Sequence, residues 1–162
     1  MRKLAFILVA LFAVYGCARQ LTPTEREEAR RADLELKSVM DMVSTRQIPP
    51  IDFELGSARL KASSHELLDR VAEVLMRHNN LKLIVSGHTD DTGSEAFNEQ
   101  LSLERAGSVK MYLATKGVHP DSVRVYGYGE RQPVISETTD EARALNRRVE
   151  FRITTRDWNT IY

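Results

Sequence analysis

Cysteine is all but missing from this chain: one residue, Cys17, stands among 162. A single thiol excludes an intrachain disulfide framework and any thiolate-cluster zinc site. Charge of one sign is missing too. Lys plus Arg is 23 and Asp plus Glu is 23, a formal net charge of +0. That removes the bulk electrostatic argument for nucleic-acid binding, which needs clustered cations. No apolar run reaches the roughly 20 residues of a spanning helix; Leu4 to Val14 is 11 residues. Internal repeats, low-complexity tracts and the serial alternating strands of an outer-membrane barrel are also absent. What remains is ordinary globular material, 42% hydrophobic and 28% charged, so wholesale disorder is excluded. The length suits one domain of about 100–150 residues plus a short segment.

The amino end carries the compartment signal. Arg2 and Lys3 precede the apolar run, and no acidic residue occurs before Glu25. This is the layout of a secretion leader. The run ends in Val14-Tyr15-Gly16-Cys17, which resembles the lipobox of bacterial lipoproteins, where the leader is cut before a cysteine that then carries lipid. The resemblance implies residues 1–16 as signal peptide and Cys17 as the site of acylation, with the acyl chains holding the protein on a membrane. Ala18, rather than Asp, follows the cysteine, which by the same resemblance implies the outer membrane of a Gram-negative bacterium.

Residues 17–49 read as anchor and spacer. Thr22-Pro23-Thr24-Glu25 is a helix start, with Thr22 as cap, Pro23 at the first helical position and Glu25 closing a capping box. Leu36, Val39, Met40 and Val43 recur at helical spacing, predicting a helix to about Arg46. It either lies on the following domain or pairs with a neighbour. Pro49-Pro50 stops it.

Residues 50–157 read as the folded domain, with 158–162 a short tail. Ile51, Phe53 and Leu55 alternate with Asp52 and Glu54, predicting a half-buried strand. Ser63-Ser64-His65-Glu66 predicts a second capping box and a helix to about His78, ended by Asn79-Asn80. Leu81 to Ser86 is a second strand, Glu95 to Lys116 a long helix, Val123 to Tyr126 a third strand. A short helix is expected at about Thr139 to Leu145 and a last strand over Val149 to Ile153. The order β-α-β-α-β-(α)-β predicts a two-layer α/β sandwich. The helical crossover between the first two strands predicts parallel pairing there.

Three polar features do not suit an apolar core. At about 100° per residue, Asn98, Ser102 and Arg105 share the stripe that Val109, Tyr112 and Leu113 continue, so Arg105 points inward and needs an anion. Thr89, Asp90 and Asp91 follow a strand, at the end where α/β folds place ligands. An inward arginine beside Asp90 suits an amino-acid zwitterion: the guanidinium takes the carboxylate and the aspartate takes the ammonium. In Asn146-Arg147-Arg148, a period of two puts Arg147 on the face of Val149 and Phe151, and Arg148 on the other.

Together these residues resemble the OmpA-like peptidoglycan-binding domain, as found in Pal-like lipoproteins. The resemblance runs through Phe53, Ser57-Ala58, Gly87-His88-Thr89-Asp90, Gly93-Ser94, Asn98, Leu101-Ser102 and Arg105-Ala106. It continues in Gly127-Tyr128-Gly129-Glu130, Pro133, Arg143-Ala144 and Asn146 to Glu150. It implies non-covalent binding of diaminopimelate, the diamino acid of the peptidoglycan stem peptide, with Asp90 and Arg105 as the paired charges and Asn98 beside them. The first loop contributes as well; Glu54 stands where the family commonly has Asp, and Ala142 and Glu137 are further departures. Thr89 and Arg147 complete the candidate set with Glu54. No cofactor, metal or nucleic acid is expected, and no enzyme activity.

Rival readings are weaker. Asp91-Thr92-Gly93 spells the aspartic-protease triplet, but that chemistry needs two carboxylates sharing a proton, and one copy exists. A metal site at His88 and Asp90 lacks further ligands at useful spacing, and Gly127-Tyr128-Gly129 lacks the residues of a phosphate loop. The alternative that remains is an envelope scaffold acting through a protein partner, as Pal-type lipoproteins do with the Tol system.

Overall fold

The computed structural model describes residues 22–78 and 81–154. The leader, Cys17, Asn79-Asn80 and residues 155–162 lie outside the described residues. The first helix, α1, runs Pro23–Ser44. Its capping box forms as its sequence predicts: Glu25 N–H donates to Thr22 Oγ1 at 3.2 Å and Thr22 N–H donates to Glu25 Oε2 at 2.8 Å. Helix α2 covers His65–Arg77, strand β1 Lys82–Gly87, helix α3 Glu95–Thr115, strand β2 Val123–Gly127, helix α4 Asp140–Asn146 and strand β3 Val149–Thr154.

Among the described residues the sheet has three strands in the order β2-β1-β3. β1 pairs with β2 in parallel, Leu83 opposite Val123 and Gly87 opposite Gly127. It pairs with β3 antiparallel, Leu83 opposite Ile153 and Gly87 opposite Val149. The parallel pair needs a crossover, and α3 supplies it. Period-two alternation sends Leu83, Val85, Val123, Val125, Phe151 and Ile153 to one face, where the helices cover them. The opposite face carries Ser86, Arg124, Glu150 and Arg152. The result is the two-layer α/β architecture that the element order predicts.

α2 contributes Leu67, Leu68, Val71, Val74 and Leu75, each at 4% exposure or less. Burying each such side chain contributes about 1.5–3 kcal/mol. α1 rests on this layer. Leu36 is 5% exposed and Ile48 2%, and both belong to the main core. Glu35 ties α1 to the end of α2, 3.3 Å from His78 Nε2 and 3.2 Å from Arg77. The helix predicted as a spacer therefore lies on the domain.

Two expectations are corrected. Ile51 and Phe53 are half-buried and Asp52 and Glu54 exposed, but Leu55 is fully exposed and the segment forms no ladder; its one bridge is antiparallel, Phe53 to Leu60. The parallel pairing therefore belongs to β1 and β2. The reason lies in competing partners: Asp52 N–H donates to Ser64 Oγ at 2.8 Å and Ser64 Oγ donates to Asp52 O at 2.9 Å. Glu54 N–H goes to Arg59 O, within the same loop, at 2.9 Å. This also explains the second correction. The capping box at Ser63 to Glu66 does not form, because Ser64 is the N-cap of α2 and caps nothing with its side chain. Its hydroxyl is fully buried and spent on Asp52.

Candidate functional site

The carboxyl ends of β1 and β2 are built so that α3 presses directly on them. A Cβ at Gly87 would overlap the Ser102 carbonyl, and one at Gly127 would lie 2.6 Å from Leu103 N. Only glycine admits helix backbone this close. Ser102, fully buried, then locks the loops. Its Oγ donates to Glu99 O at 2.8 Å and accepts from Gly129 N–H at 2.9 Å. Gly129 O in turn accepts from Thr89 N–H at 2.9 Å, while His88 N–H donates to Arg148 O at 3.0 Å. The loop after β1 is thus stitched to the turn after β2 and to the start of β3.

This frame sets the polar side chains. Asn98, 2% exposed, donates from Nδ2 to Asp90 O at 3.2 Å and to Glu130 Oε2 at 2.6 Å. It fixes the loop through the Asp90 backbone and leaves the carboxylate free to act. That carboxylate accepts from Thr92 N–H at 3.0 Å and from Arg147 Nη1 at 2.6 Å. Burial pushes the Asp90 carboxyl up, but the hydrogen bonds from Arg147 and Thr92 outweigh it and hold it below the usual range. Arg148 pairs with Glu150 at 2.7 Å and not with Asp90, although it lines the same cavity as Arg147.

Arg105 points inward from α3 and is 8% exposed. Its partner differs from the sequence expectation. Nε donates to Ser57 O at 3.1 Å, and the guanidinium lies 5.1 Å from the Phe53 ring centroid, within cation–π range. Asp90 acts on it through space while its hydrogen bond goes to Arg147. Burial lowers the Arg105 pKa first and the Arg147 charge adds to this, against Asp90 and Asp52. Asp90 thus bonds Arg147 alone and leaves the Arg105 guanidinium without a direct carboxylate partner, an arrangement that attracts a further anion.

A cavity of about 750 Å³ opens beside them, lined by Arg105, Arg147, His88, Glu54 and Phe53 among others. Glu54 sits in this lining and lies 3.5 Å from Arg59. Asp90, Asn98 and Thr89 are not part of the lining; Arg147 is. Thr89 lines a smaller cavity of about 160 Å³, with Asp91, Glu130 and Asn146. Its Oγ1 is buried without a hydrogen-bond partner among the described residues.

Residues 52–147 match the OmpA family. The chain belongs to that family. The OmpA match begins after α1 ends, so α1 lies outside it. The chain is 42% identical over 101 residues to outer membrane protein A of Bordetella avium, covering 62% of this chain and 52% of that protein. It is also 42% identical over 102 residues to peptidoglycan-binding protein ArfA of Mycobacterium tuberculosis, covering 63% of this chain and 31% of that one. It therefore spans about half the length of the first relative and a third of the second. Among solved structures it resembles the peptidoglycan-associated lipoprotein of Burkholderia pseudomallei (26% identical, TM-score 0.59, covering 65% of this chain and 87% of that one). It also resembles the C-terminal domain of Helicobacter pylori MotB (28% identical, TM-score 0.60, covering 69% and 88%).

Several residues of this OmpA domain were visible in the sequence but their partners were not. His88 is 1% exposed and stacks on Tyr128 with ring centroids 5.3 Å apart. Burial lowers its pKa, the Arg148 charge lowers it further, and Glu150 opposes both. Asp91 takes Arg143 at 2.7 Å, and Asn146 clips the chain at Val134 and Ile135, accepting at 2.8 and 3.2 Å. No local signal marks these pairs, since each joins residues far apart in the chain.

Proposed function

We propose that this chain binds peptidoglycan without covalent chemistry, holding the free amino-acid end of diaminopimelate between Arg105, Arg147 and Asp90. The observation that carries the reading is Arg105, nearly buried, lining a cavity, with Nε alone engaged by protein. A ligand carboxylate there would accept charge-assisted hydrogen bonds of about 1.5–3 kcal/mol each. The ligand ammonium goes to Asp90. Arg147 holds that carboxylate in the free chain, so binding shifts Arg147 from Asp90 toward the incoming carboxylate. Glu54 offers a second carboxylate to the rest of the ligand. Asn98 and Thr89 act through the loop: Asn98 holds the Asp90 backbone, and Thr89 N–H holds Gly129. The reading is supported by relatives whose names include peptidoglycan-binding protein and peptidoglycan-associated lipoprotein.

A site of a few such bonds holds one small zwitterion modestly. The wall is a polymer, so many chains on one membrane retain it by multivalency. In this reading Cys17 carries the lipid, the outer membrane holds that end, and the periplasmic domain holds the wall.

The test is co-sedimentation of the full chain, in detergent, with purified sacculi. Wild type is expected to sediment, free meso-diaminopimelate to release it, and Asp90→Ala and Arg105→Ala to stay in solution. Sedimentation of both variants at wild-type level would overturn the site. Failure of the wild type itself would transfer the reading to a protein partner of Tol type. Cys17→Ser is expected to leave the salt-washed membrane fraction.

A further inference from the structure

The cavity is larger than one amino acid needs; about 750 Å³ falls in the range that holds drug-sized ligands. Its wall from residues 40–51 is apolar throughout: Met40, Val43, Pro49, Pro50 and Ile51. Met40 and Val43 lie on α1, and the whole of this wall precedes residues 52–147, the stretch matched to the family. The wall is held in place, since Leu36 just before it and Ile48 within it are core residues. Charged and apolar lining thus meet in one continuous space, with Arg105 contributed by α3, His88 by the loop after β1 and Arg147 by the turn between α4 and β3.

We propose that α1 and the turn after it form a second, apolar subsite, which takes the alkyl side of the residue joined to diaminopimelate in the stem peptide, an alanine. This rests on the reading above for the charged subsite. An occupant continuous with a zwitterion must be covalently attached to it, and it must offer carbon rather than charge to Met40 and Val43. An alanyl methyl meets both conditions. α1 is then a specificity element of the site as well as a tether.

The experiment compares three probes on the full chain in detergent, by calorimetry: free meso-diaminopimelate, the stem tetrapeptide ending in D-alanine, and the same peptide ending in glycine. The alanyl and glycyl peptides differ by one methyl, so wild type should prefer the former about fourfold. Val43→Phe fills the apolar wall, and Met40→Ala removes part of it. Each should bring the preference close to one while the affinity for free diaminopimelate stays within about twofold of wild type. Met40→Ala shortens a half-buried side chain and preserves the test if the bulkier variant fails to fold. Equal wild-type affinity for both peptides, or a preference that survives both variants, overturns the subsite. Absence of binding to free diaminopimelate by the wild type instead overturns the charged site, and the subsite falls with it.

Discussion

Replacing Arg105 with methionine separates a binding residue from a structural one. The side chain is 8% exposed, donates one hydrogen bond to Ser57 O and stacks on Phe53. Removing it leaves the Ser57 carbonyl without that donor, at about 1–3 kcal/mol, and forfeits about 0.5–2 kcal/mol of cation–π attraction. In the other direction, the substitution relieves a guanidinium that is desolvated, close to Arg147 and without a direct carboxylate partner. Exchanging a buried charged group for apolar side chains of similar volume is often neutral or stabilising by about 1–4 kcal/mol. These contributions nearly cancel. The melting temperature should therefore move by no more than about 4 °C. Binding has no such compensation: two charge-assisted hydrogen bonds to a ligand carboxylate amount to at least about 3 kcal/mol, more than a hundredfold in affinity. Thermal unfolding and sacculus sedimentation on the same preparation read both quantities. A fall of more than about 10 °C in step with lost sedimentation would make Arg105 a structural keystone, and unchanged sedimentation would remove it from the site.

Other outcomes follow from the same geometry. Gly87→Ala drives a methyl into the Ser102 carbonyl, and because backbone meets backbone the cost should reach about 3 kcal/mol; an unchanged urea midpoint would contradict the close seat of α3. Ser64→Ala strips the acceptor from Asp52 N–H and leaves the Asp52 carbonyl with Lys61 N–H alone; it should lower stability by about 1–3 kcal/mol, read from urea unfolding. A neutral result would mean water replaces the hydroxyl. His88 is held neutral, its pKa lowered by burial and by Arg148 against Glu150. Below about pH 6.5 the unfolded chain takes up a proton that the native state refuses, so His88 contributes a loss of stability as pH falls from there toward the lowered native value. His88→Gln should flatten that part of the pH profile; an identical slope in the variant would show that other groups set it.

Much of the site was legible because its signals are local. The helical wheel alone placed Asn98, Ser102 and Arg105 on the buried stripe of α3, and all three are buried. The alternation through Asn146 to Phe151 picked Arg147 as the arginine that meets Asp90, but Arg148, expected on the opposite face, lines the same cavity. Capping was read at Thr22, where the cap lies within the next few residues; Ser94 and Thr139 cap their helices in the same way, though no cap was read there. It failed at Ser63-Ser64, where the hydroxyl had a stronger claim from Asp52, twelve residues away. The alternation of Ile51 to Leu55 was right about half-burial at Ile51 and Phe53 and wrong at Leu55, which is fully exposed. It carried no information on whether a neighbouring strand had free N–H and C=O groups to share.

Sequence by itself therefore determined which residues face inward, where helices begin, and which charged groups enter the protein interior, because these depend on side-chain periodicity and on atoms a few residues apart. Only the tertiary structure decided who meets whom. Arg147 rather than Arg105 reached Asp90, Arg105 turned to the Ser57 carbonyl and the Phe53 ring, and α1 folded back to wall the cavity. Each of these pairings joins segments separated by tens of residues. Its outcome depends on the close seat of α3 at Gly87 and Gly127, and a backbone approach of that kind is a property of the packed molecule, since it exists only once helix and sheet are in contact.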